Sequence, residues 1–238
     1  MVDTRPSFGL TRVTPNQFKK QIHYLLEQGY TFVSILDYLK GANKKNLVAL
    51  TFDDAYESVY KYAFPLMLEL DLPASVFVIT NYVGQYNTWD VHLGRRFRHM
   101  DWAQLKELAQ AGWEIGSHGL DHSDFTRLSQ AKLVRQMFLS CKLIQDHLGT
   151  CSKVISFPFG NVSQNVSTQL QRFNFSTGLV MGTSAADIPS QYSIQRLGIY
   201  LTDILPIYKL KLGKYYPVFK SLQRLMDKCS NLTVRIKQ

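Results

Sequence analysis

Hydrophobic and polar positions along the chain fall into two alternating periods. In residues 15–30, PNQFKKQIHYLLEQGY, the apolar Phe18, Ile22, Leu25 and Leu26 recur at helical spacing and Gly29 can close the segment, which predicts an amphipathic helix. TFVS at 31–34 suits a short strand. LVALTF at 47–52 is a near-continuous apolar run, the pattern of a strand buried on both faces of a parallel sheet. DAYESVYKYAFPLMLEL then reads as a helix or a pair of helical turns broken near Pro65. ASVFVIT at 74–80 is a second buried strand, and DWAQLKELAQAG at 101–112 is a helix with Asp101 as N-cap and Gly112 as stop. WEIGS is a strand, 128–149 a long helix capped by Ser129 and closed by Gly149, KVISF a strand, 163–173 a helix, FSTGLV a strand and SIQRLGIY another.

Strand and helix alternate at least five times, which predicts a parallel sheet with crossover helices. The fold class expected is α/β, and a distorted or partial (β/α) barrel of about seven parallel strands fits better than an open doubly wound sheet. No glycine-rich phosphate loop follows the early strands, which counts against a dinucleotide site. No internal repeat or low-complexity linker divides the chain. It is expected to form a barrel domain over 1–205 and a basic, helical C-terminal extension over 206–238, with an amphipathic helix around VFKSLQRLMDKC.

Composition adds less. With 238 residues, 45% hydrophobic and 19% charged, the chain has the make-up of an ordinary globular protein with room for a core. Aromatic content of 13% is compatible with a sugar-stacking surface, although an aromatic core explains it as well or better. The net charge of +9 is concentrated at Lys209, Lys211, Lys214, Lys220, Arg224, Lys228, Arg235 and Lys237. No nucleic-acid fold signature stands beside it, so no nucleic-acid partner is expected. The basic end offers a peripheral contact with an anionic membrane, weighed against the preferred reading of a packed helix with a solvated basic face. Cys141, Cys151 and Cys229 form no CxxC pair; their odd number suggests free thiols and a reducing compartment. MVDTRPSFGLTRV has no charged-then-apolar signal segment, and the chain has no apolar run of the ~18 residues a span needs. A cytoplasmic or membrane-peripheral location is the expectation.

Chemistry is concentrated at strand ends, where parallel α/β folds place their sites. The apolar run 47–52 stops at two adjacent carboxylates, Asp53 and Asp54, a pair that needs a cation, a shared proton or open solvent. After WEIGS come His118 and His122; after KVISF come Pro158, Phe159 and Gly160. A carboxylate with two imidazoles is a zinc-type ligand set with a position left for water. The HExxH protease reading fails, because Gly119 stands where the glutamate base is required. One aspartate can bind the metal while its neighbour handles protons.

TFDD at 51–54, the PASVFVIT strand, MDWAQLKELAQAGWEIGSHGLDH at 100–122 and SFPFG at 156–160 together resemble the polysaccharide deacetylase family, carbohydrate esterase family four, over roughly residues 15–200. The resemblance implies a distorted (β/α) barrel and metal-dependent removal of acetyl groups, usually from N-acetylated amino sugars, with an acetylated glycan as substrate and one divalent ion, by default zinc. Cobalt, nickel or manganese would also suit these ligands. It further implies Asp53 as catalytic base, Asp54, His118 and His122 as metal ligands, and the Phe159 N–H, in the turn with Pro158, as part of the oxyanion stabilisation.

The chain departs from the family pattern at several places. Ser156 stands where many members have an arginine that orients the base, Tyr200 where a histidine acid is common, and Ala55 where glycine is usual. Arg196 and Asp187 are candidates for a supporting role. Arg196 cannot be a general acid near neutrality, so its part would be electrostatic, and Asp53 itself could return the proton. Pro158, Tyr56 and Trp89, with Trp102, are candidate substrate contacts, ordinary packing being the alternative for each aromatic. Loss of the usual acid leaves a second reading open, a weakened deacetylase-fold protein acting in carbohydrate binding or polysaccharide assembly.

Overall fold

Thr14 opens the first helix, α1 (Pro15–Glu27). Its hydroxyl accepts the Gln17 N–H while the Gln17 side chain accepts the Thr14 N–H, a reciprocal cap ahead of a proline at the first helical position. The buried stripe Phe18, Ile22 and Leu25 of α1 then packs on the barrel. The structure is a computed structural model and describes residues 1–4, 12–41, 43–88, 96–181, 188–213, 215 and 217–219.

After α1 come β1 (Thr31–Phe32), α2 (Ile35–Lys40) and β2 (Leu47–Val48), and the two strands pair in a small parallel ladder of their own. The main sheet begins at β3 (Thr51–Phe52). It continues through α3 (Glu57–Tyr62), α4 (Phe64–Glu69), β4 (Ser75–Val78), α5 (Trp102–Gln110), β5 (Glu114–Ser117), α6 (Gln130–Leu148), β6 (Val154–Ser156), α7 (Gln164–Arg172), β7 (Thr177–Val180) and β8 (Ile194–Gln195). β3 to β8 stand in sequence order, every neighbour parallel, and curl into a half-barrel. Helix α8 (Leu205–Leu212) follows.

The period of two in ASVFVIT sorts the sheet's faces. Val76 and Val78 pack with Leu105 and Leu108 of α5, while Phe77 between them joins Val154, Leu179 and Ile35 on the other side. The amino-terminal end of the barrel is closed by polar contacts. Ile35 N–H donates to Ser75 Oγ (3.3 Å) and Leu36 N–H to the Glu114 carboxylate (3.2 Å), so the first turn of α2 is satisfied by residues that begin β4 and β5. The opposite end is left to the site.

Several expectations change. LVALTF is not one strand. Its first two residues pair with β1, its last two form the edge strand β3, and of the six only Phe52 is fully buried. The apolar run passes from one ladder into the next, and its other five residues are half-buried. Of SIQRLGIY, only Ile194–Gln195 pairs with the sheet. Cys141 and Cys151 are not free thiols. They form a disulfide with Cα atoms 5.8 Å apart, tying α6 to the residues before β6. The cysteine argument for a reducing compartment falls with it, because such bonds persist in oxidising surroundings. Cys229 and the amphipathic segment around VFKSLQRLMDKC lie outside the described residues.

The boundary expected at 205/206 falls within α8, after its first residue. Tyr208 of α8 belongs to the same buried cluster as Leu25 of α1 and meets Tyr24 edge-on at 6.3 Å. Lys211 is 3% exposed, donating to Asp203 (2.7 Å) and to the Gly198 carbonyl (2.6 Å), so it adds nothing to a basic surface. Among the described residues, no helix is long and apolar enough to cross a membrane.

Candidate active site

The carboxyl ends of β3, β5, β6 and β8 bring together Asp53, Asp54, His118, His122, Ser156 and Arg196. Asp53 and Asp54 leave β3 directly, and the chain then turns sharply, with Asp54 at φ 68° and Ala55 at φ 51°. His118 leaves β5; its Nδ1 lies 2.8 Å from the Ser156 carbonyl, an atom that only accepts, so Nδ1 carries the hydrogen and Nε2 presents a lone pair. The loop from Gly119 to His122 is held by one side chain of α6. The Gln136 amide accepts the Leu120 N–H and donates to the Asp121 carboxylate, both at 2.7 Å, ahead of His122 at φ 63°.

His118 Nε2 and His122 Nε2 lie 3.4 and 3.5 Å from the same oxygen of Asp54, and one ligand atom from each residue falls within 4.8 Å of the others. Those separations are too long for hydrogen bonds. They match the ~3.4 Å between two ligands that each sit about 2.1 Å from one tetrahedral ion. Burial pushes both imidazoles down in pKa, most strongly His122, so both are neutral near pH 7, the form that binds a metal. The donor set therefore fits a divalent ion on chemistry, spacing and protonation state.

Asp53 points elsewhere. Arg196 grips its carboxylate with two bonds, 2.8 and 2.7 Å, and the same guanidinium reaches Ser156 Oγ (2.9 Å) and Thr51 Oγ1 (3.2 Å). Burial pushes the Asp53 carboxyl up, but the Arg196 charge and bonds from Arg196 and Ser156 outweigh it and hold it below the usual carboxylate range. Ser156 therefore holds the guanidinium by its hydroxyl and orients His118 by its carbonyl.

Phe159 occupies the left-handed region (φ 60°), and its ring packs edge-on against His122 at 4.6 Å. The turn depends on Gly160, where a Cβ would run into the backbone of Met181. Pro158 is buried. Tyr56 is also buried, at 7% exposure; it stacks on His99 (4.8 Å), and its hydroxyl accepts from Asn87 (2.7 Å). That is a packed ring, not an open sugar platform. Trp102 is half-buried and stacks on His147 at 4.1 Å. Tyr200, 5% exposed, lies beneath the Lys211 ammonium. Trp89 and Asp187 lie outside the described residues. Thr51, Gln136 and His99 were not anticipated from the sequence. Thr51 lies within TFDD, whereas no pattern marks Gln136 or His99.

The family model described as polysaccharide deacetylase matches residues 40–178. The chain belongs to the polysaccharide deacetylase family. A poly-β-1,6-N-acetyl-D-glucosamine N-deacetylase of Staphylococcus aureus is 26% identical over 202 residues, 78% of this chain and 67% of that protein. The fold is also that of the Streptococcus pyogenes deacetylase PplD, with a TM-score of 0.76 at 22% identity over 89% of this chain and 94% of the other. IcaB from Ammonifex degensii superposes with a TM-score of 0.67 at 22% identity, covering 94% of each chain.

Proposed function

We propose that this polysaccharide deacetylase is a metal-dependent hydrolase that removes acetyl groups from N-acetylated amino sugars of a polysaccharide. The observation that carries the proposal is the convergence of Asp54, His118 and His122 at metal-ligand spacing beside an Asp53 kept ionised by Arg196. The likeness to a poly-N-acetylglucosamine N-deacetylase supports an amide rather than an ester as substrate.

Asp54, His118 and His122 would hold the ion, zinc by default. Bound there, a divalent ion supplies acidification of a water and polarisation of the acetyl oxygen. Asp53 takes the proton of the attacking water as general base. Arg196 keeps that carboxylate ionised and aimed, which is a positioning role. The Phe159 N–H is the proposed donor to the developing oxyanion, with Pro158 and Gly160 fixing its turn. The protonated Asp53 then returns its proton to the leaving amine, since Tyr200, which stands in the sequence where a histidine acid is common, is buried under Lys211. Tyr56 contributes by packing against His99.

The test is acetate release from oligomers of β-1,6-linked N-acetylglucosamine. Wild type should release acetate and leave free amines. Glycan binding with no acetate release in zinc-loaded protein would instead favour the weakened, carbohydrate-binding reading.

A further inference from the structure

We propose that His99 is a positioning residue for Asp54, and that it acts by holding a backbone turn that Ala55 resists. The inference rests on the reading of Asp54 as a metal ligand. Asp54 and Ala55 occupy the left-handed region in succession, at φ 68° and 51°. Both carry a Cβ, so the turn is strained in itself and needs support from outside.

That support is a second segment laid along it. Glu57 N–H donates to the Arg98 carbonyl (2.9 Å) and Met100 N–H to the Ala55 carbonyl (2.8 Å), with Tyr56 and His99 facing each other in an antiparallel bridge. His99 Nδ1 lies 2.6 Å from the Asp54 carbonyl. A carbonyl oxygen only accepts, so this nitrogen carries the hydrogen. The imidazole has little freedom. It is 1% exposed, stacked on Tyr56 at 4.8 Å and tilted against Tyr82 at 5.5 Å. A fixed donor on the Asp54 carbonyl fixes the peptide plane after Asp54. With that plane set, the direction in which Asp54 projects its carboxylate toward His118 and His122 is set too. His99 touches neither substrate nor metal in this scheme.

The experiment is zinc affinity by chelator competition, with circular dichroism to confirm folding, for four proteins beside wild type. His99→Phe keeps the aromatic packing and removes the donor. His99→Asn places an amide N–H near the position of Nδ1. Ala55→Gly relieves the backbone, alone and combined with His99→Phe. Loss of a partner that orients a ligand typically weakens metal binding about 10- to 100-fold, and His99→Phe should fall in that range. His99→Asn should recover most of the loss, and adding Ala55→Gly to His99→Phe should recover part of it. If His99→Phe does not fold, the Asn variant must bind zinc more tightly than His99→Ala for the inference to stand. Folded His99→Phe binding zinc as tightly as wild type overturns the inference alone. Wild type binding no zinc overturns the metal reading, and the inference with it.

Discussion

At Asp53, burial pushes the carboxyl up, but the charges of Arg196 and His118 together with hydrogen bonds from Arg196 and Ser156 outweigh it, while His118 and His122, just beyond β5, are made neutral chiefly by burial. The outcome is an ionised carboxylate beside neutral imidazoles, the protonation states that the proposed metal-assisted hydrolysis needs near neutral pH. Asp53→Asn should lower acetate release by about 10²-fold or more while zinc content stays at the wild-type level; loss of zinc together with activity would move Asp53 into the ligand set. The buried imidazoles also set a stability profile. The unfolded chain binds a proton at His99 below about pH 6.5, whereas the folded chain resists it until burial, which pushes His99 down to about 4, is overcome. The histidine contribution to the stability of the metal-free protein should therefore be flat above pH 7 and fall as pH drops from 6.5 toward 4, with His118 and His122 acting in the same direction as His99. A thermal midpoint unchanged from pH 7 to 5 would contradict this. TFDD, SHxxxH and PFG made the candidate residues legible because each lies at a strand end. His99 was not legible, since its role depends on a long-range antiparallel contact with residues 55–57 that no local pattern announces.

At the level of elements, the helix periods were readable because caps and stripes are local. Asp101 caps α5 and Gly149 ends α6 in the left-handed conformation, as their residue types suggest. The split of LVALTF between two ladders was not readable, since an apolar run carries no mark of which neighbour each residue will pair with. α6 has two further tasks. Through Gln136 it holds the His118–His122 loop, so Gln136→Leu should weaken zinc binding by about 10-fold with the fold retained. An unchanged affinity would show the loop to be held by its other contacts. Through Cys141 it is joined to Cys151, a short closed loop whose reduction should cost about 3 kcal/mol of stability, seen as a lower denaturant midpoint. Peptide mapping without reductant should recover the two cysteines in one cross-linked fragment; recovery as two free thiols would contradict the bond.

For the whole molecule, strand–helix alternation sufficed for the parallel half-barrel, and the parallel sheet in turn explains why residues from 53 to 196 meet at one end. In the basic C-terminal run, Lys211 is a buried ion-pair partner of Asp203 that ties α8 to the loop after β8, in keeping with the preferred reading of a packed helix. Both the grip of Arg196 on Asp53 and the placing of His99 against Asp54 gain functional meaning only if Asp54, His118 and His122 hold a metal. The most direct measurement is zinc content and affinity of the wild type beside Asp54→Asn and His118→Ala. One tightly bound zinc per chain in the wild type, lost in both variants, is the expected result. A wild type that takes up no zinc, cobalt, nickel or manganese at neutral pH would contradict the account.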